Sequence, residues 1–357
     1  MRTTRLAFPL RLATRTFDVH GRPHWRLIGW LIGFGVAQVL LLVGASMIDG
    51  TLRLANGVGL LQHYGAWVVL VTDPLLLIAT GYANYRFTYA LAHLPTCQTT
   101  QALNSVEQFL KPHVDRVAAR GAYAYGYVAC CVAAVLAWAN NLYQTSNPVP
   151  FYRHDVFDSS AHLFGFLVFK LCVFISWVIV YPIAGYLLIT ISLSTWMILH
   201  GGRLRNLICP AVTHPDNCYG MRNIGRLNIS LLIPFALVYS VMASILMTHG
   251  RFYRSIDVPL TFVTALFLVE SFAVIWPARR LLMDAKHSTL DELATISERF
   301  QRNEVKTDEI ARFGILRSCF SSAVSSPYSL GGQLGVTAIR AMYVAVLSAK
   351  IALQLHG

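Results

Sequence analysis

The residues most able to do chemistry in this sequence are charged side chains inside long apolar runs: Asp73, Lys170 and Glu270. Ionisable groups at membrane depth are costly to bury and mark ion paths, proton relays and ligand sites. Asp73 precedes Pro74. Proline has no amide hydrogen to donate, so a helix passing through it leaves a carbonyl short of a partner. An acid beside such a break can hold a proton or a cation, and Asp73 with Glu270 is the pair best suited to that task. The structural alternative is that Lys170 snorkels outward, or pairs with one acid, and fixes helix packing.

Six apolar runs must position these residues. A membrane span needs about 20 mainly apolar residues, and runs of that kind cover 27–48, 65–89, 121–142, 163–199, 229–247 and 258–276. Asp73-Pro74 is expected to interrupt the second, and Pro182 to kink the over-long fourth. Hydrophobic residues make up 55% of the chain and charged residues 13%, where a soluble domain carries about 25% charged. The resulting fold class is all-α, a polytopic transmembrane bundle of six spans.

Placing the amino terminus inside puts six Lys and Arg before residue 27, four in 86–120, four in 203–226 and ten from 279 onward. The opposite side holds only Arg53, Arg153, Arg251 and Arg254. This asymmetry satisfies the positive-inside rule at every loop. The expected location is a bacterial inner membrane with both termini cytoplasmic. The net charge of +12 flanks the spans rather than forming one stripe, so nucleic acid is not an expected partner. Trp25, Trp196 and Trp276 fall at the inner boundary and Trp67 and Trp138 at the outer one, as an aromatic belt requires. Tyr82, Tyr85, Arg86 and Tyr89 come after Asp73 at helical spacing and read chiefly as an interfacial anchor, with a polar path as the alternative.

The chain divides into a basic segment, 1–26, the membrane bundle, 27–277, and an inner helical region, 278–357. Leu282, Leu290, Leu293, Ile296 and Phe300 recur at three-to-four spacing among charges, as in an amphipathic helix. A shorter one is expected at Ile310, Phe313, Leu316 and Phe320. The stretch 336–355 is long enough to be a seventh span but carries Arg340 and Lys350, so a packed or interfacial helix is preferred.

The inner loop contains His214-Pro215-Asp216-Asn217-Cys218-Tyr219-Gly220-Met221. Asp216 or Asn217 can cap the next helix, and Gly220 permits a turn. Together with the span after it, this loop resembles the His-Pro-Asp-x-x-Gly-Gly-Leu loop of a group of uncharacterised bacterial polytopic membrane proteins. The segment from Pro277 through Leu281, Lys286 and Leu290 is similar to the one just after their last central span. Tyr219 stands where that pattern has glycine, and Met221 where it has leucine. The resemblance covers roughly 200–330. It implies a membrane protein and transfers no catalytic residue, leaving His214, Asp216 and Gly220 as candidates on their own chemistry.

Other clusters say less. Gly29 and Gly33 form a GxxxG pattern that lets helices approach, and His154, Asp158 and His162 read as a solvated outer loop. The seven cysteines show no CxxC pair and are expected to be reduced. No phosphate loop, zinc helix or nucleophile elbow occurs, so no cofactor is expected and nothing speaks positively for an enzyme. The leading expectation is transport or sensing of a small solute or ion. A homo-oligomer is an expected form of that reading; the alternatives are an accessory or signalling protein docking a cytoplasmic partner through its C-terminal helices, and last a lipid-active enzyme.

Overall fold

The structure is a computed structural model. It describes residues 15–18, 20–53, 59–95, 163–200, 208–249, 274–323 and 333–341, with isolated positions elsewhere. Every named element among the described residues is helical. The main ones are α1 (Trp25–Ile48), α2 (Tyr64–Ala92), α3 (Leu163–Ile175), α4 (Tyr181–His200), α5 (Arg222–His249), α6 (Ile275–Gln301) and α7 (Thr307–Ser322). Four helical stretches are long and apolar enough to cross a membrane: Trp25–Ile48, Ala66–Ala92, Phe164–His200 and Arg222–Val241. They coincide with the first, second, fourth and fifth apolar runs. The third and sixth runs lie largely outside the described residues, as does most of 342–355.

The outward faces have the chemistry of a lipid-facing surface. Trp30, Leu40, Leu41, Met47 and Ile48 of α1 are all exposed, as are Phe164, Leu167 and Leu171 of α3. A soluble monomer rarely leaves so continuous an apolar face uncovered. The buried side is equally apolar. Ala83, Phe87 and Ala90 of α2 join Ile224, Leu227, Leu231 and Phe235 of α5 in the largest core cluster. A second cluster joins Leu31 of α1, Leu76 and Leu77 of α2, and Ile183, Ala184 and Leu187 of α4.

Two proline expectations come out differently. Pro74 lies inside α2, which runs unbroken for 29 residues. Packing on α1, α4 and α5 holds the helix through the missing bond. Near Pro182 the distortion falls one turn earlier, as a π-helical turn over Ser176–Val180 that joins α3 to α4. The Tyr181 N–H donates to the Ser176 carbonyl, five residues back, widening the helix ahead of the proline ring. Single π turns of this kind recur at functional sites. The over-long fourth run is therefore one helix of 37 residues, Phe164–His200, about 55 Å at the α-helical rise.

One end of the bundle is knitted by short polar contacts. Asp49, just after α1, accepts a 2.6 Å hydrogen bond from the Gly165 N–H of α3. His63 Nδ1 caps α2 by accepting from the Ala66 N–H at 2.9 Å. At the opposite end Phe17 packs on Tyr82 and Tyr85, and the ladder continues through Tyr89 to His93. Arg86 lies over the Tyr89 ring, 5.3 Å from its centroid. A Cβ on Gly21 would sit 2.5 Å from Tyr85, so the segment before α1 folds onto this ladder. At this end too, His200 stacks between Trp196 and Trp276, joining α4 to α6.

Beyond the bundle, α6 and α7 form a hairpin closed by ion pairs from Arg299 to Glu309 at 2.8 Å and from Arg312 to Glu292 at 2.6 Å. The chain then returns to the core. Tyr328 donates to Asn228 Oδ1 at 2.5 Å, and both residues are buried. Val336 is buried in the main cluster, with Ile339 packed against it. The described part of the last stretch thus packs on the bundle.

Candidate functional site

Asp73 is fully buried near the middle of α2. Helical geometry puts it on the same face as Ala66 and Leu77, whose core clusters join α2 to α1, α3 and α4. Its Oδ2 accepts a 2.6 Å hydrogen bond from Ser176 Oγ, the first residue of the π turn. The same hydroxyl oxygen lies 3.0 Å from the Cys172 carbonyl. Asp73 Oδ1 has no partner among the described residues. Gln38 of α1, 3% exposed, comes within reach of the carboxyl without completing a hydrogen bond of ordinary geometry. Its Oε1 and Nε2 are both unpartnered among the described residues.

Three unsatisfied polar atoms in one dry place are costly, at about 1–3 kcal/mol each. They are brought together by close packing. A Cβ on Gly35 would meet Pro74 Cγ at 3.0 Å and the Leu70 carbonyl oxygen at 3.4 Å, so α1 crosses α2 against the proline ring. Gln38 lies nearly one turn further along α1, beside Asp73. A Gly35→Val substitution is expected to force α1 off α2 and to destabilise the protein by about 2 kcal/mol. Thermal unfolding in detergent would measure it, and an unchanged midpoint would show that the crossing tolerates a larger side chain. The GxxxG pattern does not perform this role, since no described atom comes within 4 Å of a Cβ on Gly29 or Gly33.

Lys170 is buried on α3, with its ammonium 5.5 Å from the centre of the Phe166 ring. Glu270 lies outside the described residues, as do His154, Asp158 and His162. Sequence reasoning missed Gln38 and Ser176. Gln38 carried a signal, as a lone amide within the apolar run of α1. Ser176, six residues before Pro182, carried none of its own.

The His214–Gly220 loop is built for structure. Asp216 Oδ1 accepts from the Cys218 and Gly220 N–H groups at 2.9 Å each, and Oδ2 accepts from the N–H of Arg222, the first residue of α5, at 3.2 Å. Partial burial alone would raise its pKa. The three N–H donors, with His214 beside it, outweigh that and hold the carboxyl below the usual carboxylate range. His214 Nδ1 lies 2.9 Å from Asp216 Oδ1, and its side chain is 42% exposed. Asn217, Tyr219 and Gly220 all have positive φ, at 53°, 56° and 84°. Tyr219 takes the left-handed conformation glycine favours, its ring buried in the core. A Cβ on Gly220 would meet Pro95 at 2.9 Å, which pins the loop to the end of α2. Both oxygens of Asp216 are thereby committed to the turn.

One cysteine departs from expectation: Cys209 is disulfide-bonded. Spacing along the chain reveals a CxxC pair but not two cysteines joined by the fold. Cys131, Cys172, Cys218 and Cys319 are free thiols. Among the described residues no three His, Cys, Asp or Glu side chains gather as a metal site. Neither a protein-family model, nor a curated protein, nor a solved structure matches the chain.

Proposed function

We propose that this is a multi-pass membrane protein that moves or senses a small ion at the polar site around Asp73. The observation that carries the reading is the buried carboxyl with an oxygen unpartnered among the described residues, facing Gln38 and a π turn. A carboxyl kept for packing alone would have its second oxygen satisfied, because an unmet buried acceptor is costly. A site kept for an exchangeable ion leaves that oxygen open. The π turn, a feature that recurs at functional sites, brings the Ser176 hydroxyl to Asp73. The setting is a six-span protein in a bacterial inner membrane with both termini inside, supported by the distribution of Lys and Arg.

The test is flux into liposomes that hold the full-length protein and entrapped pH-sensitive and sodium-sensitive dyes. Asp73→Asn is expected to lower flux at least tenfold, while Lys170→Met changes it less. Equal flux in Asp73→Asn and the parent removes Asp73 from the reading. Glu270→Gln belongs in the same series, as the second acid of the expected pair.

A second reading has its own observation. The α6–α7 hairpin leaves Phe300, Ile310 and Ile315 exposed between its ion pairs, which suits an accessory protein that docks a cytoplasmic partner. Deleting 279–357 would then abolish partner capture with membrane insertion intact.

A further inference from the structure

The three unpartnered atoms at the Asp73 site are an acid oxygen, an amide oxygen and an amide nitrogen. The protonation state of Asp73 decides which two of them can pair. On a protonated carboxyl, Oδ1–H is a donor and Gln38 Oε1 is the acceptor beside it. On an ionised carboxyl, Oδ1 is an acceptor and Gln38 Nε2–H is the donor. An amide offers both faces by rotating about its last bond, so Gln38 can satisfy either state where an aliphatic side chain could satisfy neither.

We infer that the ion taken by this site is a single proton, carried on Asp73 Oδ1, and that the Gln38 amide turns over to report whether it is there. This deepens the reading above and rests on it. The chemistry is a proton transfer from a water-borne hydronium to the carboxylate, giving the neutral acid and water, and its reverse. No metal ion or redox partner enters.

The surroundings favour a proton over a metal cation. Among the described residues Asp73 receives one completed hydrogen bond, from Ser176, where a carboxylate that stays charged in a dry interior collects several. The ionisable groups near it among the described residues are the Cys172 thiol of α3 and the Tyr181 phenol at the start of α4. Among the described residues α1 adds only the uncharged Gln38, and no charged group of α2 or α5 acts on Asp73. Ser176 Oγ donates its hydrogen to Asp73 Oδ2, an arrangement suited to a hydrogen-bonded acid and not to a cation held between those two oxygens. The neutral acid needs one acceptor, which Gln38 provides.

The experiment is infrared difference spectroscopy on the full-length protein in phosphatidylcholine liposomes. The carbonyl band of the protonated acid is followed against pH, with sodium or choline as the salt cation. The expected result is one titrating band, absent in Asp73→Asn and indifferent to the choice of cation. Gln38→Met, close in volume, removes the donor to the charged form and should raise the midpoint by about one pH unit, since a hydrogen bond to a charged group outweighs one to a neutral group. No Asp73-dependent band, a midpoint that falls as sodium replaces choline, or an unchanged midpoint in Gln38→Met overturns the inference. Loss of flux in Asp73→Asn without a titrating band would leave the ion site in place and remove only the proton.

Discussion

Gly225→Val should detach the returning C-terminal segment from the bundle. A Cβ at Gly225 would lie 2.0 Å from the Pro327 carbonyl oxygen and 2.7 Å from its carbon. Both are backbone atoms, so no side-chain rotation relieves the overlap. The segment must move, and the buried Tyr328–Asn228 hydrogen bond goes with it. Overpacking costs about 1–3 kcal/mol and the lost bond about 1 kcal/mol, so a loss of about 3 kcal/mol is expected. Thermal unfolding in detergent reads the total. Faster trypsin cleavage at Arg340 reads the detachment, because Val336 and Ile339 on that stretch pack into the core. Tyr328→Phe should reproduce only the smaller share. A Gly225→Val protein with the parent's stability and cleavage rate would mean that the segment does not dock as described.

Asp216→Ala is expected to unravel the start of α5. One carboxylate accepts three backbone N–H groups across the turn that enters the helix, and alanine leaves all three without that acceptor. Hydrogen bonds to charged groups contribute about 1.5–3 kcal/mol each. Side-chain exposure of 14% and replacement by water reduce the total, and a loss of about 3 kcal/mol is expected. The pH dependence comes from the direction of the shift. The folded pKa lies below the unfolded one, so the stabilisation is present above the ordinary carboxylate range and lost as pH falls through the folded value. Asp216→Asn should flatten that acid limb of the stability curve. An acid limb unchanged in Asp216→Asn would assign it to other carboxylates.

The membrane character of the chain was legible in its residues. Runs of about 20 apolar residues have few ways to avoid water other than lipid, and four of the six became helices of spanning length. Asp73 was legible for the same reason, since a charge in such a run stands out. The capping role of Asp216 could also be read, because the need for an acceptor ahead of a helix is local.

Every property that depends on which helices touch stayed out of reach. Gln38 is an ordinary amide until the Gly35 crossing sets it beside Asp73. Ser176 is an ordinary serine until the π turn aims its hydroxyl at that carboxyl. Pro74 reads as a helix break, but packing on both sides of α2 carries the helix through it. Apolar spans and an acid within them are visible residue by residue, because hydrophobicity and charge belong to single residues and short windows. The surroundings of that acid are not, because its hydrogen-bond partner lies 103 residues away and arrives there only through packing, which no local pattern records.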